Sequence, residues 1–251
     1  IRNKIENDFF DDISFNFDPF DDIVLVEDGE HLMNLIQDSY NKYGLEETAI
    51  VVRSNKRANL YNQAVRDKIL NNENIINVGD LLMVIKNNYF WLKNKRDIGF
   101  IANGDIIKIE EIYNIKEIYG FKFAEVKISM VDYPKIDYFE TVLILDSLYI
   151  NSPALDFNIM NNLYQEILKD YMNIKTKYKR HLAVKNNSFF NALQVKYAYS
   201  FTCHKSQGGQ WESIFLEYPY LPNGMDKDFF RWLYTAITRA QNKLHLIGFN
   251  Q

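Results

Sequence analysis

The chain has 251 residues, of which 47% are hydrophobic and 25% charged, and its net charge is −4 at pH 7. This composition excludes wholesale disorder, because it supplies enough apolar surface for one large core or two smaller ones. No apolar run approaches the roughly 20 residues that a membrane-spanning helix needs. A single cysteine, Cys203, excludes an internal disulfide and fits a reducing cytoplasm. Without a CxxC or His/Cys cluster, the sequence predicts no metal site.

Charge is distributed unevenly along the chain. Residues 1–50 contain 13 acidic and 3 basic residues, whereas the rest contains 20 acidic and 26 basic residues. Residues 165–210 hold 8 basic and 2 acidic residues. Such a run is either a solvated face or a surface that follows a phosphate backbone. The overall negative charge therefore does not exclude a nucleic-acid partner.

The first part of the chain predicts a helix, a connector and the start of an α/β fold. A helical pattern over 1–10 opens the chain without an initiator methionine, which predicts a segment of a longer protein. The acidic, phenylalanine-rich connector that follows contains Pro19, and its carboxylates are interpreted as solvated rather than metal-binding. The apolar run at 23–27 predicts a strand, and the apolar spacing over 30–43 predicts an amphipathic helix.

A second strand and helix continue this pattern. The continuous apolar run TAIVV at 48–52 predicts a strand that is buried on both faces of a parallel sheet. Ser54 is a suitable N-cap for the next helix. The alternation of strands and helices favours an α/β fold with right-handed crossovers.

The middle of the chain has a different pattern. Four or five short strands, with Gly104, Gly120 and Pro134 near the turns, predict a small antiparallel β-barrel inserted into the α/β domain. Residues 153–172 predict a helix with a proline near its start. The α/β pattern resumes with ALQVKYAYSFT at 192–202.

Residues 200–219 form the first segment with the composition of a binding site. The sequence predicts a strand (VKYAYSFT), a polar loop, a short helix capped by Ser206 (SQGGQWES) and a further strand (IFLEY). A loop that joins the carboxyl end of a parallel strand to a helix N-terminus is a natural anion site. Gly208 and Gly209 allow a backbone to approach a ligand closely. The hydrogen-bonding side chains placed there are Thr202, His204, Lys205, Ser206 and Gln207.

Residues 228–248 form the second such segment. Apolar spacing predicts a helix over 228–240 and then a buried strand, LHLIG. Thr235 and Arg239 are four residues apart and share a face with Arg231. Arg239, near the helix end, either stabilises the helix dipole or binds an anion, and the residue types alone leave both interpretations open.

These segments resemble helicase motifs in their order and separation. TCHKSQGGQW (202–211) resembles motif V of superfamily 1 helicases in its RecD-like form, and LYTAITRA (233–240) resembles motif VI. Upstream, AIVVRSNKRANLYNQAVR (49–66) resembles motif IV. GDLLMVIKNN (79–88) and NGDIIKI (103–109) resemble the entry to a small Src-homology-3-like β-barrel in that subgroup. The chain thus resembles the C-terminal region of a RecD-like helicase of the exodeoxyribonuclease V alpha-subunit type, with a UvrD-like C-terminal domain.

The resemblance implies a fold and a domain order. The fold is α/β, with a RecA-like parallel sheet flanked by helices, no P-loop of its own and an inserted barrel. Residues 1–22 would end the first motor domain and form the connector, 23–98 and 190–251 the second motor domain, and 99–189 the barrel and a helical segment. In the full-length protein the resemblance implies ATP and Mg²⁺, 5′→3′ movement and a cytoplasmic location. The implied partners are single-stranded DNA, the N-terminal motor domain of the same polypeptide, and recombination or nuclease subunits.

The resemblance also assigns roles to individual residues. Arg239 matches the motif VI arginine finger that reaches the γ-phosphate and stabilises charge on the transferring phosphoryl group. Gly208 and Gln210 match the nucleotide side of motif V, and Arg53 in motif IV is a further candidate nucleotide contact. The positions that match the DNA path are Asn55, Lys56, Thr202, His204 and Lys205.

One absence limits what the chain can do by itself. The sequence contains no GxxxxGK[ST] loop and no glycine followed by lysine, so the phosphates and Mg²⁺ have no cradle. The chain alone is predicted to be inactive as an ATPase and to hold no cofactor. The leading hypothesis is the C-terminal motor domain of an ATP-dependent DNA helicase. The alternative is a non-catalytic nucleic-acid-binding module that retains the helicase domain fold.

Several aromatic residues allow two interpretations. Tyr89, Phe90 and Trp91 follow a polar turn and either stack on bases or pack internally, and packing is favoured for at least two of them. Trp211 is interpreted as a packing residue on the motif V helix.

Overall fold

The computed structural model describes residues 20–93, 99–222 and 224–249. The predicted helix over 1–10 and nearly all of the connector lie outside these residues. Two compact units are formed, and the second spans Asn72–Ala198. The first unit combines the parts of the chain before and after it.

Ten strands and five α-helices make up the described residues. The strands are β1 (Ile23–Val26), β2 (Thr48–Val52), β3 (Leu81–Val84), β4 (Ile106–Ile118), β5 (Phe121–Met130), β6 (Phe139–Ile144), β7 (Leu193–Tyr197), β8 (Ser200–Thr202), β9 (Trp211–Glu217) and β10 (Ala240–Ile247). The helices are α1 (Gly29–Tyr43), α2 (Asn55–Lys68), α3 (Phe157–Lys169), α4 (Lys177–Lys185) and α5 (Lys227–Ile237). None of these helices is long and apolar enough to cross a membrane.

The first unit is built on a five-stranded sheet in the order β1-β10-β9-β2-β8, and every neighbouring pair is parallel. All five residues of β2 are buried, as the continuous apolar run predicts. Helices α1 and α2 both pack on β2, and α5 packs on β9 and β10. The predicted α/β fold with a parallel sheet flanked by helices is therefore confirmed.

Side-chain caps define where the first two helices begin. Asp28 Oδ1 accepts hydrogen bonds from the backbone N–H groups of Glu30 (2.9 Å) and His31 (2.8 Å) at the start of α1. Ser54 Oγ accepts from the Arg57 N–H (3.2 Å), which confirms the predicted cap of α2. Both helices thus begin directly after the carboxyl end of a strand.

The second unit contains a closed barrel made of β3-β4-β5-β6-β7. The hairpin between β4 and β5 turns at Tyr119 and Gly120, with φ angles of 58° and 77°, a conformation typical of two-residue hairpin turns. The predicted barrel is confirmed, but it is not wholly antiparallel, because β6 and β7 pair in parallel. This pairing closes the barrel with a strand that follows α3 and α4 in the chain.

The units also differ from the predicted domain bounds of 99–189 for the insertion. β3 and β7 belong to the barrel, since Leu82 pairs with Tyr197. The segment VKYAYSFT, predicted as one strand, is therefore divided between β7 and β8, which belong to different units. The segment is divided because its first part pairs with β3, more than one hundred positions earlier in the chain. Local apolar patterns cannot predict such a long-range strand pairing.

The helical part of the second unit packs against the barrel. Leu163 and Ile167 of α3 lie in one core cluster with Phe123 and Ile144 of the barrel. α3 begins later than the predicted start at 153, because the Asp156 carboxylate accepts a hydrogen bond from the Ile159 N–H (2.9 Å) and caps the helix.

A buried histidine makes the stability of the first unit depend on pH. The His245 ring stacks on Phe215 (centroids 4.1 Å apart, 6° between planes), and burial lowers its pKa to about 4, with the charges of Lys243 and His31 acting in the same direction. The neutral ring is favoured by the fold, so its contribution is complete above pH 6.5 and is lost as pH falls towards 4. We expect a loss of up to about 3 kcal/mol in unfolding free energy across that window. Urea unfolding at a series of pH values measures this loss. If the unfolding free energy of His245→Phe falls with pH as steeply as that of the unmodified protein, the explanation is wrong.

Candidate functional site

Six of the predicted site residues lie at the carboxyl edge of the parallel sheet. β2 and β8 are neighbours and end at the same level, since Val52 pairs with Thr202. The turn into α2 follows the first of these strands, and a 3₁₀ turn at Cys203–Ser206 follows the second. The residues brought to this edge are Arg53, Asn55, Lys56, Thr202, His204 and Lys205, which include all five predicted DNA contacts.

The predicted nucleotide residues lie mainly at the opposite, amino edge. Trp211 and Ala240 pair where β9 and β10 begin, and the Trp211 N–H donates to the Arg239 carbonyl (2.9 Å). Gln210 directly precedes β9, and its Oε1 accepts from Gln241 Nε2 (3.3 Å). The loop that contains Gly208 leads into this edge.

Arg53 is separated from the other predicted nucleotide contacts. Val51 of β2 pairs with Leu216 of β9, so Arg53 lies eight positions beyond Gln210 along the strand direction. At about 3.3 Å per residue, this corresponds to roughly 26 Å. The predicted set of Arg53, Gly208, Gln210 and Arg239 is therefore not brought together, and Arg53 lies with the residues predicted to contact DNA.

The Arg239 guanidinium is held by three acceptors around the end of α5. Its Nε donates to the Thr235 carbonyl (3.0 Å), one terminal nitrogen to the Gly209 carbonyl (3.1 Å) and the other to Thr238 Oγ1 (3.1 Å). A guanidinium has five N–H donors, so two remain without an acceptor among the described residues. The side chain is only partly buried. This arrangement fixes a cation in a defined orientation and leaves donors for an anion.

The predicted helix over SQGGQWES is wrong. Ser206 is fully buried, and its Oγ donates to the Cys203 carbonyl (2.7 Å), which closes a 3₁₀ turn instead of capping a helix. Trp211 is the first residue of β9 rather than a helical residue. Its ring packs on Phe201 (centroids 5.2 Å apart), which confirms the packing interpretation. The predicted anion site at a helix N-terminus is therefore not formed here.

Charges at the carboxyl edge are partly neutralised by one carboxylate. Glu217, at the end of β9, accepts hydrogen bonds from the Arg57 guanidinium and from Tyr61 Oη (2.9 Å). This hydrogen bonding raises the pKa of Arg57, and burial raises the pKa of Tyr61 to about 12. Burial lowers the pKa of Lys205. The exposed Arg53 and Lys56 remain as cations of this edge.

The residues that hold these groups in place are not predicted by the sequence motifs. The Gly209 carbonyl and the Thr238 hydroxyl orient Arg239, and Glu217 holds Arg57. The four-residue spacing of Thr235 and Arg239 is the one sequence feature that indicates a contact between them. Among the described residues, no group of three or more His, Cys, Asp or Glu side chains is placed to hold a metal ion.

Gly209 is required by the ring of Trp211. A Cβ at position 209 would lie 2.4 Å from Cη2 and 2.9 Å from Cζ3 of that ring, whereas a Cβ at Gly29 meets nothing within 4 Å. We expect Gly209→Ala to cost about 1–3 kcal/mol of unfolding free energy, because a buried ring must move. Gly29→Ala is the matched control and should be neutral or slightly stabilising. Equal denaturant midpoints for the two variants would contradict this explanation.

Part of the chain that contains this site matches a known protein family. Residues 197–247 match the family model of the UvrD-like helicase C-terminal domain. This segment includes the turn after β8, the loop to β9 and the whole of α5, and so the two segments that resemble motifs V and VI. The resemblance is therefore confirmed at this level: this segment is similar to the UvrD-like helicase C-terminal domain. The RecD-like subtype stays a prediction.

Individual relatives cover the chain to different extents. An uncharacterized protein of Methanocaldococcus jannaschii, MJ1519, is 38% identical over 64 residues, which are 25% of this chain and 5% of that protein. The Pif1 helicase of Candida albicans has a TM-score of 0.40 at 12% identity, covering 85% of this chain and 50% of that one. A Bacteroides Pif1 helicase in complex with ADP-AlF₃ and single-stranded DNA has a TM-score of 0.43 at 11% identity, covering 87% and 49%. The chain thus spans about half the length of these helicases.

Proposed function

We propose that this chain is the second motor domain of an ATP-dependent single-stranded DNA helicase or translocase. The observation that carries the proposal is the position of Arg239, held between the motif V loop and the end of α5 with two guanidinium donors left over. Such a preorganised cation suits a γ-phosphate on which negative charge is redistributed during transfer. ATP and Mg²⁺ would be bound mainly by a P-loop domain elsewhere in the full-length protein.

The two edges of the sheet are proposed to bind different ligands. In this proposal the amino edge, with Gly208, Gln210 and Arg239, faces the nucleotide. The carboxyl edge contacts the DNA backbone through exposed cations and hydrogen-bonding side chains, and Arg53 belongs to this second group. The DNA contacts are then Arg53, Asn55, Lys56, Thr202, His204 and Lys205. Movement in the 5′→3′ direction is part of the proposal by resemblance to the RecD-like subgroup.

The carboxyl edge is tested by removing its two exposed cations. We expect Arg53→Gln with Lys56→Gln to weaken binding of single-stranded DNA and to lower the slope of log affinity against log salt by up to about 1.4, the amount expected for two phosphate contacts. Lys42→Gln with Lys68→Gln removes the same charge from the far ends of α1 and α2 and should change little. Fluorescence anisotropy across a salt series measures both variants. Equal losses in the two pairs would show that only net charge matters.

The alternative is a non-catalytic nucleic-acid-binding module with the same fold. Both hypotheses predict DNA binding, so the discriminating observation is whether Arg239 matters for ATP turnover in the full-length protein. In a module without catalytic function, the three hydrogen bonds of Arg239 would serve only to tie the end of α5 to the loop before β9, and its replacement would leave ATP turnover unchanged.

A further inference from the structure

A groove in the second unit lies outside both edges described above. It has a volume of about 460 Å³ and runs between the turn after β3 and the segment that follows α4. We call it the rim groove. Its lining includes three lysines and three aromatic rings, namely Lys86, Tyr89, Phe90, Lys93, Lys185 and Phe190.

The two walls of the rim groove are held together by asparagine side chains. Asn88 Oδ1 accepts from the Phe90 N–H (3.0 Å), and Asn88 Nδ2 donates to the Asn191 carbonyl (2.8 Å). Trp91 Nε1 donates to the same carbonyl (2.8 Å). Asn191 Nδ2 in turn donates to the Lys185 carbonyl at the end of α4 (2.8 Å). Because residues some hundred positions apart are bonded directly, the groove is preformed.

Its charge is positive. No described residue that lines the groove carries a carboxylate, whereas three carry ammonium groups. Lys93 Nζ lies 4.7 Å from the centroid of the Phe90 ring, and Lys185 Nζ lies 5.0 Å from that of Phe190. Aromatic faces attract cations, and both ammonium groups lie beside rings without an ion pair to a carboxylate of the described residues. Both groups are placed to contact an anion in the groove.

One ring is presented to solvent. Tyr89 is 64% exposed, although one of its faces stacks on Phe100 (centroids 5.1 Å apart, 24° between planes). Asn87 Nδ2 donates to its hydroxyl (3.2 Å) and steadies the ring. A fixed ring with an open face is a platform on which a base stacks. Phe90 and Trp91, by contrast, are partly buried and in contact with each other, as packing predicts.

The groove continues along α3 and α4. A second cavity of about 380 Å³ shares Met160, Lys185 and Phe190 with the first, and extends to Tyr164 and to Phe157, whose side chain is 82% exposed. Two adjoining cavities that are lined by both rings and cations fit an extended chain better than a compact ligand. Duplex bases are already stacked and paired, so the exposed ring favours a single strand.

We propose that the rim groove is a second binding site for single-stranded DNA, with phosphates at Lys86, Lys93 and Lys185 and a base stacked on Tyr89. The inference rests on the proposed function for its choice of partner. It adds a site on the barrel and its helical segment that lies outside the segments resembling motifs IV, V and VI.

The test compares matched variants of the 251-residue chain binding a fluorescein-labelled thymidine oligonucleotide. We expect Lys86→Gln, Lys93→Gln and Lys185→Gln together to weaken binding at least about tenfold and to lower the salt slope by up to about 2. The control triple Lys122→Gln, Lys135→Gln and Lys177→Gln removes the same charge from the same unit and should change affinity less than twofold. Tyr89→Ala should weaken binding about fivefold or more. Tyr89→Phe, which keeps the ring, and Tyr178→Ala, which removes an exposed tyrosine outside the groove, should not.

The outcomes separate this inference from the function on which it rests. If both lysine triples bind alike while Arg53→Gln with Lys56→Gln still weakens binding, the rim groove is not a DNA site and the proposed function stands. If no variant of either set changes the affinity, or the chain binds no oligonucleotide, the proposed function fails as well. If inorganic polyphosphate competes as well as the oligonucleotide and Tyr89→Ala binds normally, the groove holds anions without reading a base, which overturns the stacking contact. Circular dichroism melting curves establish that each variant is folded.

Discussion

Replacement of Arg239 by alanine in the full-length protein should reduce DNA-stimulated ATP turnover by about 10³- to 10⁵-fold, the range in which arginine fingers act. Binding of single-stranded DNA should remain, because the exposed cations of the carboxyl edge lie at the other end of the strands. Steady-state phosphate release and oligonucleotide anisotropy measure the two properties side by side.

Two further variants sharpen this result. Arg239→Lys keeps the charge but loses the planar fork that meets the Thr235 and Gly209 carbonyls and the Thr238 hydroxyl, so we expect most of the activity to stay lost. Arg231→Ala is the control, because this exposed arginine of α5 forms its ion pair with the nearby Asp228 (3.1 Å) and lies on the surface of the helix. Its turnover should match the unmodified protein. Collapse of DNA binding with ATPase retained in Arg239→Ala would make the arginine-finger assignment wrong.

The 251-residue chain alone should show no DNA-stimulated ATP hydrolysis above background. No glycine in the sequence is followed by lysine, so the phosphates of ATP lack the backbone cradle and the lysine on which P-loop enzymes depend. Phosphate release with single-stranded DNA at saturating ATP is the measurement, and the full-length protein is the positive control.

Arg239→Ala in the same chain separates a trace contaminant from true activity. Residual turnover that is equal with and without Arg239 comes from elsewhere in the sample. Turnover that disappears with this substitution would mean that the chain contains a complete ATPase site, and the proposal that it supplies only the second of two motor domains would then be abandoned.

The elements of the first unit were predictable because their signals are local. A continuous apolar run such as TAIVV at 48–52 has few alternatives to a buried strand, and Ser54 caps the next helix through a residue three positions away. The helix over SQGGQWES was predicted wrongly for a tertiary reason. The segment has an acceptable helical pattern when it is taken alone. In the fold, the Trp211 ring packs on Phe201 and Trp211 is the first residue of strand β9.

The site was predictable in its parts but not in its arrangement. The sequence by itself determined the residue types, the motif order and the absence of a P-loop, because these depend only on which side chains follow one another. The tertiary structure alone decided that Arg53 and Arg239 lie at opposite edges of the sheet, since strand register sets that distance. It also decided that Asn88 meets Asn191 and forms the rim groove. Both facts follow from hydrogen bonds between residues far apart in the chain, and such bonds leave no periodic trace in the sequence.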